Sequence, residues 1–270
     1  MSKRLFGLML MSLLLLTGSA FADSFTFLNP GSVTWNGVYV NPYQANNNTN
    51  PQDNPLTIYC DDWNTDFSGT PTWNANVYAL TAANLPNFKF GNTTPNYNVT
   101  LDAVQHTLSY GLSATPAPFT RYVEAAYLDE QFENEQLSGD SAALKLTRQK
   151  ELAAAMWTLF VDGSHVDGLI GAINNSSDTI LGTTYRYADD VAQFLAQAQA
   201  AVSPNGSFTG AGWDVIVPIG NNSNGGAMQE FLVHDYYGSQ VPEPSAVILL
   251  GTVIGYLSLT KLRRRGEVKS

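Results

Sequence analysis

The apolar positions along this chain change their period twice. Over residues 24–42 they alternate: Phe25, Phe27, Val33, Trp35, Val38 and Val40 sit among polar residues. Asn-Pro-Gly and Asn-Gly interrupt them, and such turn residues join short strands into hairpins. Residues 44–55, QANNNTNPQDNP, have no apolar spacing and read as a polar loop. Residues 56–60 and 77–80 read as strands, and 84–100, rich in Asn, Thr and Pro, as loop. A helical period then takes over. Tyr122, Ala125, Ala126, Leu128 and Phe132 share a face over 121–136, and Leu144, Leu146, Leu152, Ala155, Met156, Leu159 and Phe160 do so over 141–161. Val191, Phe194, Leu195, Ala198 and Val202 mark a third helix over 187–202, stopped by Ser203-Pro204-Asn205-Gly206. Strand patterns return at 213–219 and 230–233, with a Gly- and Asn-rich turn at 220–226 between them. Strands, then helices, then strands predict an α+β fold. β-strands stand at both ends of the domain with a three-helix segment between them, and the first and last strands share a sheet.

Both termini depart from this pattern. Lys3 and Arg4 precede an apolar stretch at 5–16, and Ala20 and Ala22 form a small-residue cleavage site, so residues 1–22 read as a secretory signal peptide cut before Asp23. The exported domain is then 23–238, and the remaining 239–270 are a separate C-terminal segment. Charge separates the same regions. Lys3, Arg4, Lys261, Arg263, Arg264, Arg265 and Lys269 are seven of the 13 basic residues, while only Glu243 and Glu267 of the 23 acids lie outside 23–240. Residues 23–240 thus hold six basic and 21 acidic residues, a net charge of −15. Such a domain repels phosphate backbones, which excludes nucleic acid as its primary partner. Cys60 is the only cysteine, so no intrachain disulfide forms even in an oxidising compartment.

The C-terminal segment has three parts in order. Val241, Pro242, Glu243 and Pro244 form an extended turn, because proline blocks a helix there. An uncharged apolar run follows from Ala246 to about Leu259, within a membrane helix at about 245–262. Lys261, Arg263, Arg264 and Arg265 then place its end on the cytoplasmic side. This order resembles the PEP-CTERM sorting signal of Gram-negative bacteria. The resemblance covers residues 241–265. It implies export across the inner membrane, a transient single-pass anchor, processing by an exosortase-type membrane enzyme, and delivery to the cell surface or extracellular matrix. It further implies a link to exopolysaccharide, with extracellular polysaccharide as a partner.

Inside the domain, catalytic and metal motifs are sparse. His106, His165 and His234 have no metal-ligand spacing. No nucleophile elbow, phosphate loop or dinucleotide fingerprint occurs. Asp61, Asp62 and Asp66 read as a solvated acidic loop, and Glu124, Asp129, Glu130, Glu133 and Glu135 as the wet face of a helix. Tyr59-Cys60-Asp61-Asp62, Tyr122-Val123-Glu124-Ala125-Ala126-Tyr127-Leu128 and Ala153-Ala154-Ala155-Met156-Trp157 resemble segments of PEP-CTERM ectodomains. They also resemble the thioester domains of Gram-positive adhesins, where a cysteine and a glutamine form an internal thioester. Here Ala153 occupies that glutamine's place, and Gln149 lies one helical turn earlier. The expectation is a non-enzymatic exported surface or matrix protein without a cofactor. The alternatives are a thioester-type adhesin using Cys60 and Gln149, and a secreted hydrolase working through carboxylates.

Overall fold

The alternating segments at the two ends of the domain fold into a single closed barrel. The computed structural model describes residues 22–29, 33–40, 42–51, 55–63, 69–92, 99–101, 109–110, 117–161 and 165–236. The chain divides into two units, residues 22–240 and a second made of 1–21 and 241–270; all described residues belong to the first. Ala20, the motif Val241 to Pro244, the apolar run at 245–262 and the basic residues Lys261, Arg263, Arg264 and Arg265 lie outside the described residues. Among the described residues, no helix is long and apolar enough to cross a membrane.

The barrel uses β1 (Asp23–Asn29), β4 (Tyr43–Asn47), β5 (Leu56–Cys60), β6 (Thr72–Ala79), β11 (Trp213–Ile219) and β12 (Phe231–His234). Its order is β1-β4-β5-β12-β11-β6, closing back onto β1, and every neighbouring pair is antiparallel. A short hairpin, β2 (Thr34–Trp35) and β3 (Val38–Tyr39), leaves the barrel after β1. Its turn residues Asn36 and Gly37 both have positive φ, 55° and 85°, the geometry that matches the twist of a two-residue hairpin. A two-residue pair, β7 (Val99–Thr100) and β8 (Ser109–Tyr110), precedes the helices.

The helices are α1 (Pro118–Leu137), α2 (Ala142–Phe160), α3 (Val166–Asn175) and α4 (Tyr187–Val202), with a hairpin, β9 (Ser177–Ile180) and β10 (Thr183–Arg186), between the last two. Pro118 opens α1, where its missing N–H is no loss. The Ser141 side chain caps α2 by accepting from the Leu144 N–H at 3.3 Å.

Alternation builds two cores on the two sides of the barrel wall. Phe25, Phe27, Ile58, Cys60, Trp73, Val77, Ile216 and Phe231 fill the interior. Tyr59, Trp213, Val215 and Leu232 point outward into a second core, with Tyr122, Leu128 and Phe132 of α1 and Trp157 and Phe160 of α2. Three consecutive alanines in α2, Ala153, Ala154 and Ala155, are fully buried and leave room for its neighbours.

The fold is mixed α and β, and it corrects the expectation in three places. Residues 43–47 are a barrel strand, not part of a loop. Their inward positions are Tyr43, Ala45 and Asn47, so one inward residue is polar and one is small, and the apolar signal is faint. Asn47 is satisfied inside the barrel: its Oδ1 accepts from the Thr49 and Asn50 N–H groups at 2.8 and 2.9 Å, and its Nδ2 donates to Tyr236 Oη at 2.6 Å. The segment between the strands contains four helices among the described residues, not three. The additional helix, α3, buries only Val166, Leu169 and Ile173, too short a stripe to stand out. Finally, Glu124 and Asp129 are buried rather than on a wet face, because α1 packs against α2 and α4 as well as the barrel.

One glycine is held by close approach. A Cβ on Gly206 would lie 1.9 Å from the Ala201 carbonyl oxygen, which already accepts the Phe208 N–H at 3.2 Å as the chain leaves α4. Gly206→Ala is expected to lower stability by about 1–3 kcal/mol, read as a lower urea midpoint at unchanged slope. An unchanged midpoint would show that this turn rearranges freely.

Candidate functional site

The chemistry-bearing residues gather where the barrel wall meets α1. Strand β5 ends at Cys60, which pairs with Phe231 at the start of β12. Extending this antiparallel register by one step sets Asp61 opposite Glu230. Cys60 and Phe231 point into the barrel, so the alternation turns Asp61 and Glu230 outward. Both are completely buried, as is Asp62. The expected solvated acidic loop is therefore an enclosed cluster at Asp61 and Asp62, because the segment after the 3-10 turn Leu85–Asn87 and helix α1 cover it. Asp66 lies outside the described residues.

Glu230 is held on both oxygens. Tyr122 Oη donates to its Oε1 at 2.5 Å, and the Lys89 backbone N–H donates to its Oε2 at 2.7 Å. The same Tyr122 oxygen accepts the Phe90 N–H at 3.0 Å. The Lys89 ammonium pairs with Asp62 Oδ2, and Gln229 Nε2 donates to the Asp62 carbonyl at 3.0 Å. Arg121, also buried, donates to the Leu159 and Phe90 carbonyls at 3.3 and 3.4 Å. Neither Asp61 oxygen accepts from an N–H or hydroxyl donor, and the group facing it is the Glu230 carboxyl.

Two like charges in so dry a place do not both ionise. Burial, then the Glu230 and Asp62 carboxylates, push Asp61 well above the usual carboxylate range. Burial pushes Glu230 up to about 7, and the Lys89 N–H, the Tyr122 hydroxyl and the Asp61 carboxyl keep it from rising further. Of the two, Asp61 is the one held further above the usual range. The pair titrates as a unit, stitching two barrel strands across a site that would otherwise be repulsive.

A second carboxyl pair, Asp129 and Glu133, lies about two to three turns beyond Tyr122 along α1. Tyr59 Oη donates to Glu133 Oε1 at 3.4 Å, and His234 Nδ1 faces Glu133 Oε2 at 3.4 Å. The His234 ring stacks on Trp213 at 4.7 Å and 12°. Neither oxygen of the buried Asp129 has a partner, and burial followed by the Glu133 charge pushes its carboxyl well up. His165 is exposed at the start of α3, and His106 lies outside the described residues. Among the described residues, no group of three His, Cys, Asp or Glu side chains is placed to hold a metal ion.

Cys60 is a free thiol with no exposed surface. It donates to the Asp62 carbonyl and accepts the Asp62 N–H, both at 3.4 Å. Burial, then the charges of Asp62 and Asp61, push the thiol well up, away from the thiolate a nucleophile needs. Trp157 does reach this strand end: its indole N–H donates to the Cys60 carbonyl at 3.1 Å. Gln149, half-buried, is eight residues earlier on α2, roughly 12 Å along the helix axis from Trp157. This arrangement favours Cys60 as a packed core residue.

The chain matches no family model, no curated protein and no solved structure. The role of the cluster is argued from its own geometry. Asp61 and Glu230 each stand one residue beyond a strand end, a symmetry the sequence contains but that only the β5–β12 register makes visible.

Two measurements check the site. A carboxyl whose pKa is raised by folding stabilises the protein where it is protonated and loses that contribution as pH rises through the folded value. The stability difference between wild type and Glu230→Gln should therefore fall, by on the order of 2 kcal/mol, from pH 5 to pH 9. A difference that stays flat with pH would show that folding does not raise Glu230. Cys60 should resist alkylation in the native protein and react fully once the chain is unfolded in denaturant; an unfolded chain that still fails to react would revive the thioester.

Proposed function

We propose that this chain is a non-enzymatic exported protein of the cell surface or extracellular matrix, delivered through its C-terminal segment. The observation that carries this reading is the order Pro242-Glu243-Pro244, apolar run, then Lys261, Arg263, Arg264 and Arg265. In this reading the run at about 245–262 is a transient membrane helix, and an exosortase-type enzyme is the processing partner. The signal peptide cut after Ala22 gives the matching orientation, basic ends inside and the acidic domain outside.

The folded unit supports it from both ends. The first strand begins at Asp23, directly after the expected cleavage site. Asp23 Oδ2 accepts from Tyr236 Oη at 2.5 Å, and Tyr236 stands two residues beyond the last strand. The barrel is thus closed on itself between these residues. The full burial of Asp61, Asp62, Glu230 and Asp129 supports a structural use of these carboxyls over a hydrolytic one.

The test is Pro242→Ala, Glu243→Ala and Pro244→Ala together, expressed in a host that carries exosortase. The expected outcome is an unprocessed chain retained in the membrane fraction. Unchanged size and release would sink the sorting role.

A further inference from the structure

Residues 23–240 hold three lysines, Lys89, Lys145 and Lys150, and they meet very different partners. Lys145 donates to the Gln136 carbonyl at the surface. Lys150 pairs with Asp178 at 3.1 Å, and that carboxylate stays 30% exposed, so water shares it. Lys89 reaches into the interior. Its ammonium contacts Asp62 Oδ2, and the Asp62 side chain has no exposed surface.

The lysine is held there by its own backbone. Phe88 and Phe90, on either side of it, are both buried. Their rings pack on Tyr122 and Phe160, with centroids 4.9 and 5.2 Å apart. The Lys89 N–H donates to Glu230 Oε2 at 2.7 Å, and the Phe90 N–H donates to Tyr122 Oη at 3.0 Å. Asp62 is fixed as well: its carbonyl accepts from Gln229 at 3.0 Å, and its N–H donates to Cys60 Sγ at 3.4 Å. An amine and a carboxyl are thus kept together on two firm supports. Such placement replaces a chance encounter by an intramolecular step.

We propose that Lys89 and Asp62 join covalently, through an isopeptide bond between Lys89 Nζ and Asp62 Cγ. One C–N bond forms, and one C–O bond of the carboxyl breaks. Of the three protons on the ammonium, one stays on the amide nitrogen and two leave with the departing oxygen as water. Nothing is oxidised or reduced, and no co-reactant is consumed. An amine attacks only after losing a proton, and carriers stand beside it. The Lys89 charge acts on both Asp61 and Glu230, and this carboxyl pair takes the proton from the amine and returns it to the leaving oxygen.

Burial drives the exchange. A dehydrated ion pair carries the lost hydration of both charges, and that cost ends when they become one neutral amide. The Lys89 side chain is 38% exposed, which leaves the released water a path to solvent. The bond closes residues 62–89 into a covalent loop that contains β6. A cross-link of this kind restricts the unfolded chain as a disulfide does, in a domain whose only cysteine is Cys60. It is read in the covalent structure of the chain, so its absence and a failure of sorting are separate results.

The experiment is intact-mass measurement and tryptic mapping of the purified full-length chain under denaturing conditions. The wild type should be one water lighter than the sequence between its mapped termini requires. Trypsin should fail to cut after Lys89, and one branched peptide should contain both Lys89 and Asp62. Lys89→Arg keeps the charge but cannot form this bond, and it should restore the full mass. A wild-type chain of full mass, cut by trypsin after Lys89, would overturn the proposal whether or not the variant folds. A missing water that persists in Lys89→Arg would overturn it too.

Discussion

Closure of the barrel by β1 is the constraint on which the rest of the structure depends. The strand pairs with β4 on one side and β6 on the other. Without it, both neighbours would expose unpaired backbone edges, and Phe25 and Phe27 would leave the interior they fill. The closed wall also gives the helices something to pack on. Tyr59, Trp213, Val215 and Leu232 form one continuous apolar surface only because β5, β12 and β11 are neighbours.

The carboxyl cluster follows from the same wall. Asp61 and Glu230 meet because β12 inserts beside β5, and they are dry because α1 covers that edge. A buried pair of this kind is weak evidence for stability in itself. Its effect is to make the junction between the barrel and α1 sensitive to pH, since burial raises both carboxyls above their usual range. The Lys89 ammonium, bound to Asp62, offsets part of the remaining negative charge. Among the described residues, the outward positions of β1, β4 and β6 carry neither acid nor base.

Much of the fold is legible in the periodicity of the chain. The expected strand at 213–219 coincides with Trp213–Ile219, and the three expected helices fall within two or three residues of α1, α2 and α4. What the pattern hides has physical causes. Strand β4 hides because an asparagine with its own hydrogen bonds takes a core position. Asp129 and Glu124 hide because a helix covered on several faces has no single wet side. The carboxyl cluster hides because its members lie far apart in sequence, and only the register of β5 against β12 brings them together. Cys60 and Trp157, far apart in sequence, meet through a backbone carbonyl and an indole N–H.

The insertion of the last strands bears on when the domain can close during synthesis. Strands β11 and β12 fill the gap between β5 and β6, yet about 130 residues separate β11 from β6 in the chain. Contacts so distant in sequence form late and slowly. A chain emerging from its N-terminus first has no complete wall to close until residues 231–234 are through. The topology itself delays the locking of the domain until almost the whole of it has been made.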